Sequence, residues 1–110
     1  MNLLINEKAF QAKVIELART MGWTVAHFSD SRRQVKPGVF VGDKDAAGFP
    51  DLVLVRERVL FRELKAEKGR LSDKQAQWIA DLEHAGADVK VWRPSDWVDV
   101  EQTLTRRRAA

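Results

Sequence analysis

Two acids and one amine, Asp51, Glu63 and Lys65, are the residues of this chain whose types and spacing best suit chemistry. Between the acids runs a simple pattern. Asp51-Leu-Val-Leu-Val55 reads as a strand, Arg56-Glu57-Arg58 as a polar turn, and Val59-Leu-Phe-Arg-Glu-Leu-Lys65 as a second, antiparallel strand. With the turn centred on Glu57, Val55 faces Val59, Val53 faces Phe61, and Asp51 faces Glu63. Directly paired side chains have Cβ atoms about 4.5–5.5 Å apart, so two carboxylates meet at the open end of an apolar hairpin. Like charges that close repel, and something positive belongs between or beside them. Lys65 shares the parity of Glu63 and projects to the same face. A divalent cation can take oxygens from both acids, at about 2.0–2.1 Å for magnesium. The same three residues also suit an ion pair at a strand end. A different turn would change the acid pairing, although not the parity of Glu63 and Lys65.

The elements that must position this trio follow from periodicity. Asn6 can cap a helix running to about Met21, in which Phe10, Val14, Leu17, Ala18 and Met21 form one apolar stripe and Gly22 is the stop. Glu7 continues that stripe, and an acid on a buried face needs a partner. It can equally serve the positive N-terminal end of the helix. Trp23 to Phe28 reads as a strand. Residues 29–50 show no sustained period and contain Pro37, Gly38, Gly42 and Gly48, a long loop for so small a chain. Arg32, Arg33, Lys36 and Lys44 within it can meet phosphates or simply stay solvated. Both faces of the hairpin are largely apolar, which predicts a central place in a sheet. Lys68, Gly69 and Arg70 form a turn. Ser72 and Gln75 match a capping box that opens a helix. Ala76, Ile79, Leu82 and Ala85 are its expected inner side, and Gly86 ends it. Asp88 to Trp92 is a further strand, and a strand–helix–strand order implies parallel pairing by a right-handed crossover. Pro94 ends that strand, Ser95 can cap a last short helix, and Arg106, Arg107 and Arg108 make a basic tail. One domain over residues 1–105 and a tail over 106–110 are expected.

The bulk composition bounds this reading without deciding it. The chain has 110 residues, 45% hydrophobic and 32% charged, which describes an ordered protein with one modest core. The net charge of +3 permits a polyanionic partner and does not demand one. No cysteine is present, so disulfides and thiolate metal sites are excluded. No apolar run approaches the roughly 20 residues of a membrane-spanning helix, and Met1 to Lys8 lacks the pattern of a secretory signal. A cytoplasmic protein of bacterial or phage origin, with no membrane partner, is the expectation.

Gly48-Phe-Pro-Asp51-Leu followed by Glu63-Leu-Lys65 resembles the PD-(D/E)xK signature of the restriction-endonuclease-like nucleases. The closer resemblance is to the VRR-NUC family in its small stand-alone form. It is carried by Glu7 in the first helix, the Gly-Phe-Pro-Asp-Leu-Val and Phe-Arg-Glu-Leu-Lys segments, and Gly69-Arg-Leu-Ser72, Gln75 and Trp78. The resemblance implies an α/β restriction-endonuclease-like core, with a central mixed β-sheet of about four strands flanked by helices in the order αβββαβα. It implies a DNA endonuclease dependent on Mg²⁺ or Mn²⁺. Asp51, Glu63 and the backbone carbonyl of Leu64 would be metal ligands, with Glu7 bound directly or through water. Lys65 would orient the attacking water and stabilise charge on the phosphate. Gln75 would reach toward the site from the helix start, a role that can coexist with its capping box. The small members resemble Holliday-junction resolvases, which implies a homodimer acting on branched or four-way DNA.

The remaining candidates weigh less. His27 lies beside the long loop and reads mainly as structural. His84, near a helix C-terminus, occupies a commonly stabilising place. Trp23, Trp78, Trp92 and Trp97 read as packing residues rather than base platforms. The basic tail can add phosphate affinity or fray. A nicking or structure-nonspecific nuclease is the rival enzyme, and a DNA-binding module without turnover is the rival from another class.

Overall fold

The computed structural model describes residues 1–28, 33–36, 39–41 and 45–107, with side chains for 1–28 and 45–107. Helix α1 spans Glu7–Thr20, opened by the Asn6 side chain, whose Oδ1 accepts from the Ala9 amide at 2.8 Å. Phe10, Val14 and Ala18 are fully buried, as their spacing requires, and Leu17 and Met21 are half-buried beside them. Gly22 takes the positive φ of +88° that lets the chain turn out of the helix. Strand β1 follows over Thr24–His27.

The sheet has the order β1-β4-β5-β6. Strand β4 is Leu52–Val55, β5 is Val59–Leu64 and β6 is Asp88–Trp92. Val55 pairs with Val59 and Val53 with Phe61, the register that centres the turn on Glu57. β1 runs antiparallel to β4, and β6 runs parallel to β5 after the crossover. The hairpin therefore occupies the middle of a four-stranded mixed sheet, and the chain has the α/β architecture of a restriction-endonuclease-like core. Helix α2 covers Asp73–His84, and α3 covers Trp97–Thr105. Leu52, Leu54, Leu60 and Leu64 meet Phe10, Val14 and Ala18 of α1 and Val100 and Leu104 of α3 in one core.

Four expectations change. The long irregular loop contains a separate two-stranded sheet, β2 (Arg33–Lys36) and β3 (Val39–Val41), whose pairing shifts between Gln34 and Lys36. Such short, irregularly paired strands leave little periodicity to read. The inner side of α2 is Gln75, Trp78, Ile79 and Leu82, all half-buried, while Ala76 and Ala85 are exposed. Trp78 rotates the helix toward the loop before β4, because its Nε1 donates to the Ala47 carbonyl at 3.1 Å. Ser95 does not cap the last helix. It lies in a 3₁₀ turn, Pro94–Asp96, and its amide donates to Glu67 Oε2 at 3.1 Å. Lastly, the core face of β5 is not wholly apolar. Arg62 is buried to 1% exposure with the parity of Leu60 and Leu64. Its Nη2 pairs with Asp88 Oδ1 at 2.9 Å and its guanidinium lies 4.6 Å over the Trp92 ring.

Candidate active site

The segment that delivers Asp51 is held by contacts of unusual closeness. Gly48 has φ +86°, and a Cβ there would lie 2.7–2.8 Å from backbone and side-chain atoms of Lys74 and the Gln75 nitrogen. Only glycine lets this loop lie against the first turn of α2. Phe49, the next residue, packs edge-on to Phe28, Phe61 and Trp78, with centroid distances of 5.6, 6.2 and 5.1 Å. Pro50 is buried, and Asp51 emerges at the head of β4.

Beyond the last strand pair, Leu52 with Arg62, side chains take over from the backbone ladder. Asp51 Oδ2 accepts from the Leu64 amide at 2.9 Å, and Glu63 Oε1 accepts from the Asp51 amide at 3.2 Å. Each carboxylate is thus oriented by the other strand. Glu63 is 1% exposed, and its second oxygen, Oε2, has no hydrogen-bond partner. Burial and the neighbouring Asp51 carboxylate push the Glu63 carboxyl up to about 8, against the pull of Lys65. Lys65 Nζ lies 3.6 Å from Glu63 Oε2 and 3.9 Å from Glu7 Oε1. Those lengths exceed a good hydrogen bond, so the ammonium acts as a nearby charge rather than a tight donor.

Asp51, Glu63, Lys65 and Glu7 are therefore brought to one end of the hairpin. Glu7 stands beyond Lys65, and among the described residues no three acidic, histidine or cysteine side chains converge to hold an ion by themselves. The donor set is two carboxylates, with one buried oxygen that accepts no hydrogen bond. A hard dication suits that set, since magnesium commonly binds through one or two carboxylates and keeps the rest of its shell as water and phosphate. Gln75 is committed to the helix cap: its Oε1 accepts from the Ser72 amide at 2.8 Å while its own amide donates to Ser72 Oγ at 3.1 Å. Arg33 and Lys36 lie on β2, but their side chains, and Arg32 and Lys44 altogether, are outside the described residues.

Residues 41–96 match the VRR-NUC domain family. The chain belongs to this family. VRR-NUC is a nuclease domain, and the match supports a DNA nuclease. No curated protein and no solved structure matches the chain. The matched stretch holds Asp51, Glu63, Lys65 and Gln75, whereas Glu7 precedes it on α1.

Within the VRR-NUC domain, Arg93 supports the site without any signal in the sequence. Its Nη1 donates to the carbonyls of Ala66, Glu67 and Gly69 at 2.9, 3.2 and 2.6 Å. The turn immediately after Lys65 is thereby tied to the end of β6. A lone arginine after a strand reads as surface, and only the folded chain shows what it grips. His27 and His84 are exposed, and the four tryptophans are buried or half-buried.

Proposed function

We propose that this protein is a magnesium- or manganese-dependent endonuclease acting on branched DNA as a homodimer. The observation that carries the metal-dependent reading is the Asp51–Glu63 pair, with Asp51 half-buried and Glu63 buried. One Glu63 oxygen has no hydrogen-bond partner, and burial beside Asp51 raises the Glu63 carboxyl to about 8 although Lys65 lies 3.6 Å from that oxygen, so one ammonium does not fully offset the two acids. Asp51 and Glu63 would hold the cation, with the Leu64 carbonyl and Glu7, through water, completing its surroundings. A cation there would polarise the phosphate and lower the pKa of water. Lys65 would orient the attacking water and balance charge that develops on the phosphate oxygens. Asp51 and Glu63 keep fixed aim because each accepts a backbone amide across the hairpin. Gln75, through its cap, would hold the start of α2 against the Gly48 loop and so keep Asp51 in place. Arg32, Arg33, Lys36 and Lys44 would meet the DNA backbone. Branched DNA and the dimer rest on the family's likeness to junction resolvases, which cut two strands symmetrically.

The test is cleavage of linear, flapped and four-way DNA with Mg²⁺ or Mn²⁺, alongside a solution mass. Junction cutting that EDTA abolishes is expected, with a mass twice that of the chain. Cutting all substrates equally would replace branch selectivity with a structure-nonspecific nuclease. Binding without cleavage across metals and substrates would make the protein a DNA-binding module.

A further inference from the structure

An exposed aromatic ring flanks the carboxylate pair. β1 is an edge of the sheet, and its last pair is His27 with Leu52. One step further, the Phe28 amide donates to the Asp51 carbonyl at 2.7 Å. Phe28 thus stands opposite Asp51 on one side as Glu63 does on the other. Directly opposed residues project to the same face, with Cβ atoms about 4.5–5.5 Å apart. Phe28, Asp51 and Glu63 form a row across one end of the sheet. Phe28 is 48% exposed as a residue, and its ring is steadied by Phe49 at an interplanar angle of 89°. The other large exposed apolar residues of the sheet, Val55 and Val59, are aliphatic and sit at the far end of the hairpin.

We propose that Phe28 stacks on the nucleobase next to the phosphate that Lys65 and a cation on Asp51 and Glu63 would hold. The site would then take a strand whose bases are unstacked, as in single strands, flaps and junction points, rather than continuous duplex. The inference rests on the nuclease reading above. A polynucleotide strand advances about 3.4 Å per nucleotide in duplex form, and neighbouring sheet lanes lie about 4.8 Å apart. A base adjoining the bound phosphate is therefore within reach of this ring. Inside a duplex that base is stacked on both sides and unavailable to a side chain.

The experiment measures equilibrium binding of the full chain to a single-stranded oligonucleotide in Ca²⁺, with abasic sites placed one at a time along the strand. Stacking on an aromatic ring is worth about 5- to 150-fold in affinity. Phe28→Ala should weaken single-strand binding by that factor and leave duplex binding little changed. Phe28→Trp should restore it and Phe28→Leu should not. One abasic position that weakens the parent protein should no longer matter in Phe28→Ala. Equal abasic sensitivity in both proteins, or restoration by Phe28→Leu, overturns the proposal. So does loss of a dimer mass in Phe28→Ala, which assigns the ring to a subunit contact. Melting curves of the variants identify any that are unfolded, and Phe28→Trp then carries the comparison, with affinity and abasic sensitivity matching the parent expected and weakened affinity overturning the proposal. Metal-dependent cleavage by the parent protein separates the two readings. Cleavage with a flat abasic scan removes only the stacking role, and failure to bind any DNA removes both.

Discussion

At the residue scale, Glu63 is a carboxyl placed where its charge is costly. Its ordinary value is 4.5 and the fold raises it to about 8 through burial and Asp51. The folded chain therefore holds this proton more tightly than the unfolded chain. The stability that this contributes is complete below about pH 4.5 and is lost as pH rises to about 8. Metal-free protein should weaken over that window, by at most about 1.4 kcal/mol per pH unit. Urea unfolding at a series of pH values checks this. Mg²⁺ should offset the loss, because binding favours the ionised acid, and Glu63→Gln should remove both effects. An unchanged slope in that variant would refute the assignment. Lys65→Ala should lower cleavage by about 100-fold or more while DNA binding stays nearly intact, since a positioned charge acts mainly on the transition state. Asp51→Asn should weaken metal affinity, read by titrating Mg²⁺ against activity. These three residues were legible in the sequence because a short turn and a period of two leave few ways to arrange them. Arg62 was not. A charged residue with core parity gives no sign of its partner until β6 brings Asp88 and Trp92 beside it.

Elements hold the site through close approaches. Gly48→Ala combines a left-handed backbone with overlap at 2.7–2.8 Å against the first turn of α2. The expected cost is about 2–4 kcal/mol, a fall of roughly 10–20 °C in melting temperature. Cleavage should fall as well under conditions where the variant is folded, because the loop that carries Asp51 must shift. Arg93→Ala takes a donor from three carbonyls, of which that of Ala66 keeps the Gly69 amide, at a cost of about 1–3 kcal/mol by chemical denaturation. Lysine should rescue it poorly, since a single ammonium lacks the planar fork of guanidinium. Helix α1, β1, the hairpin, α2 and β6 were all readable from periodicity and caps. The inner face of α2 was misread because Trp78 follows an anchor, Ala47, that lies 31 residues away. The β2–β3 pair escaped because four- and three-residue strands with a pairing shift carry almost no pattern.

Across the whole molecule, the central hairpin is fastened at both ends. At the core, Asp88→Ala should cost more than Arg62→Met, about 1–3 kcal/mol against less than about 1.5, because the guanidinium stays buried with only backbone carbonyls as acceptors. Denaturant midpoints of the two variants test the order. At the turn, Arg56 and Arg58 stack on Trp23 at 4.4 and 5.0 Å. Arg56 donates to the carbonyls of Met21, Leu104 and Arg106, and Arg58 to those of Thr103 and Arg106. Of the basic tail, Arg106 is thus engaged through its carbonyl, and Arg108 lies outside the described residues. The last turn of α3 therefore serves as a keeper plate for the hairpin's latch. A protein shortened after Leu104 would keep that side chain in the core and take the Arg106 carbonyl from both guanidinium groups. Arg56 would keep the Met21 and Leu104 carbonyls and Arg58 that of Thr103, so the turn would be loosened rather than released, and the change would register as a lowered melting temperature of a protein that still folds.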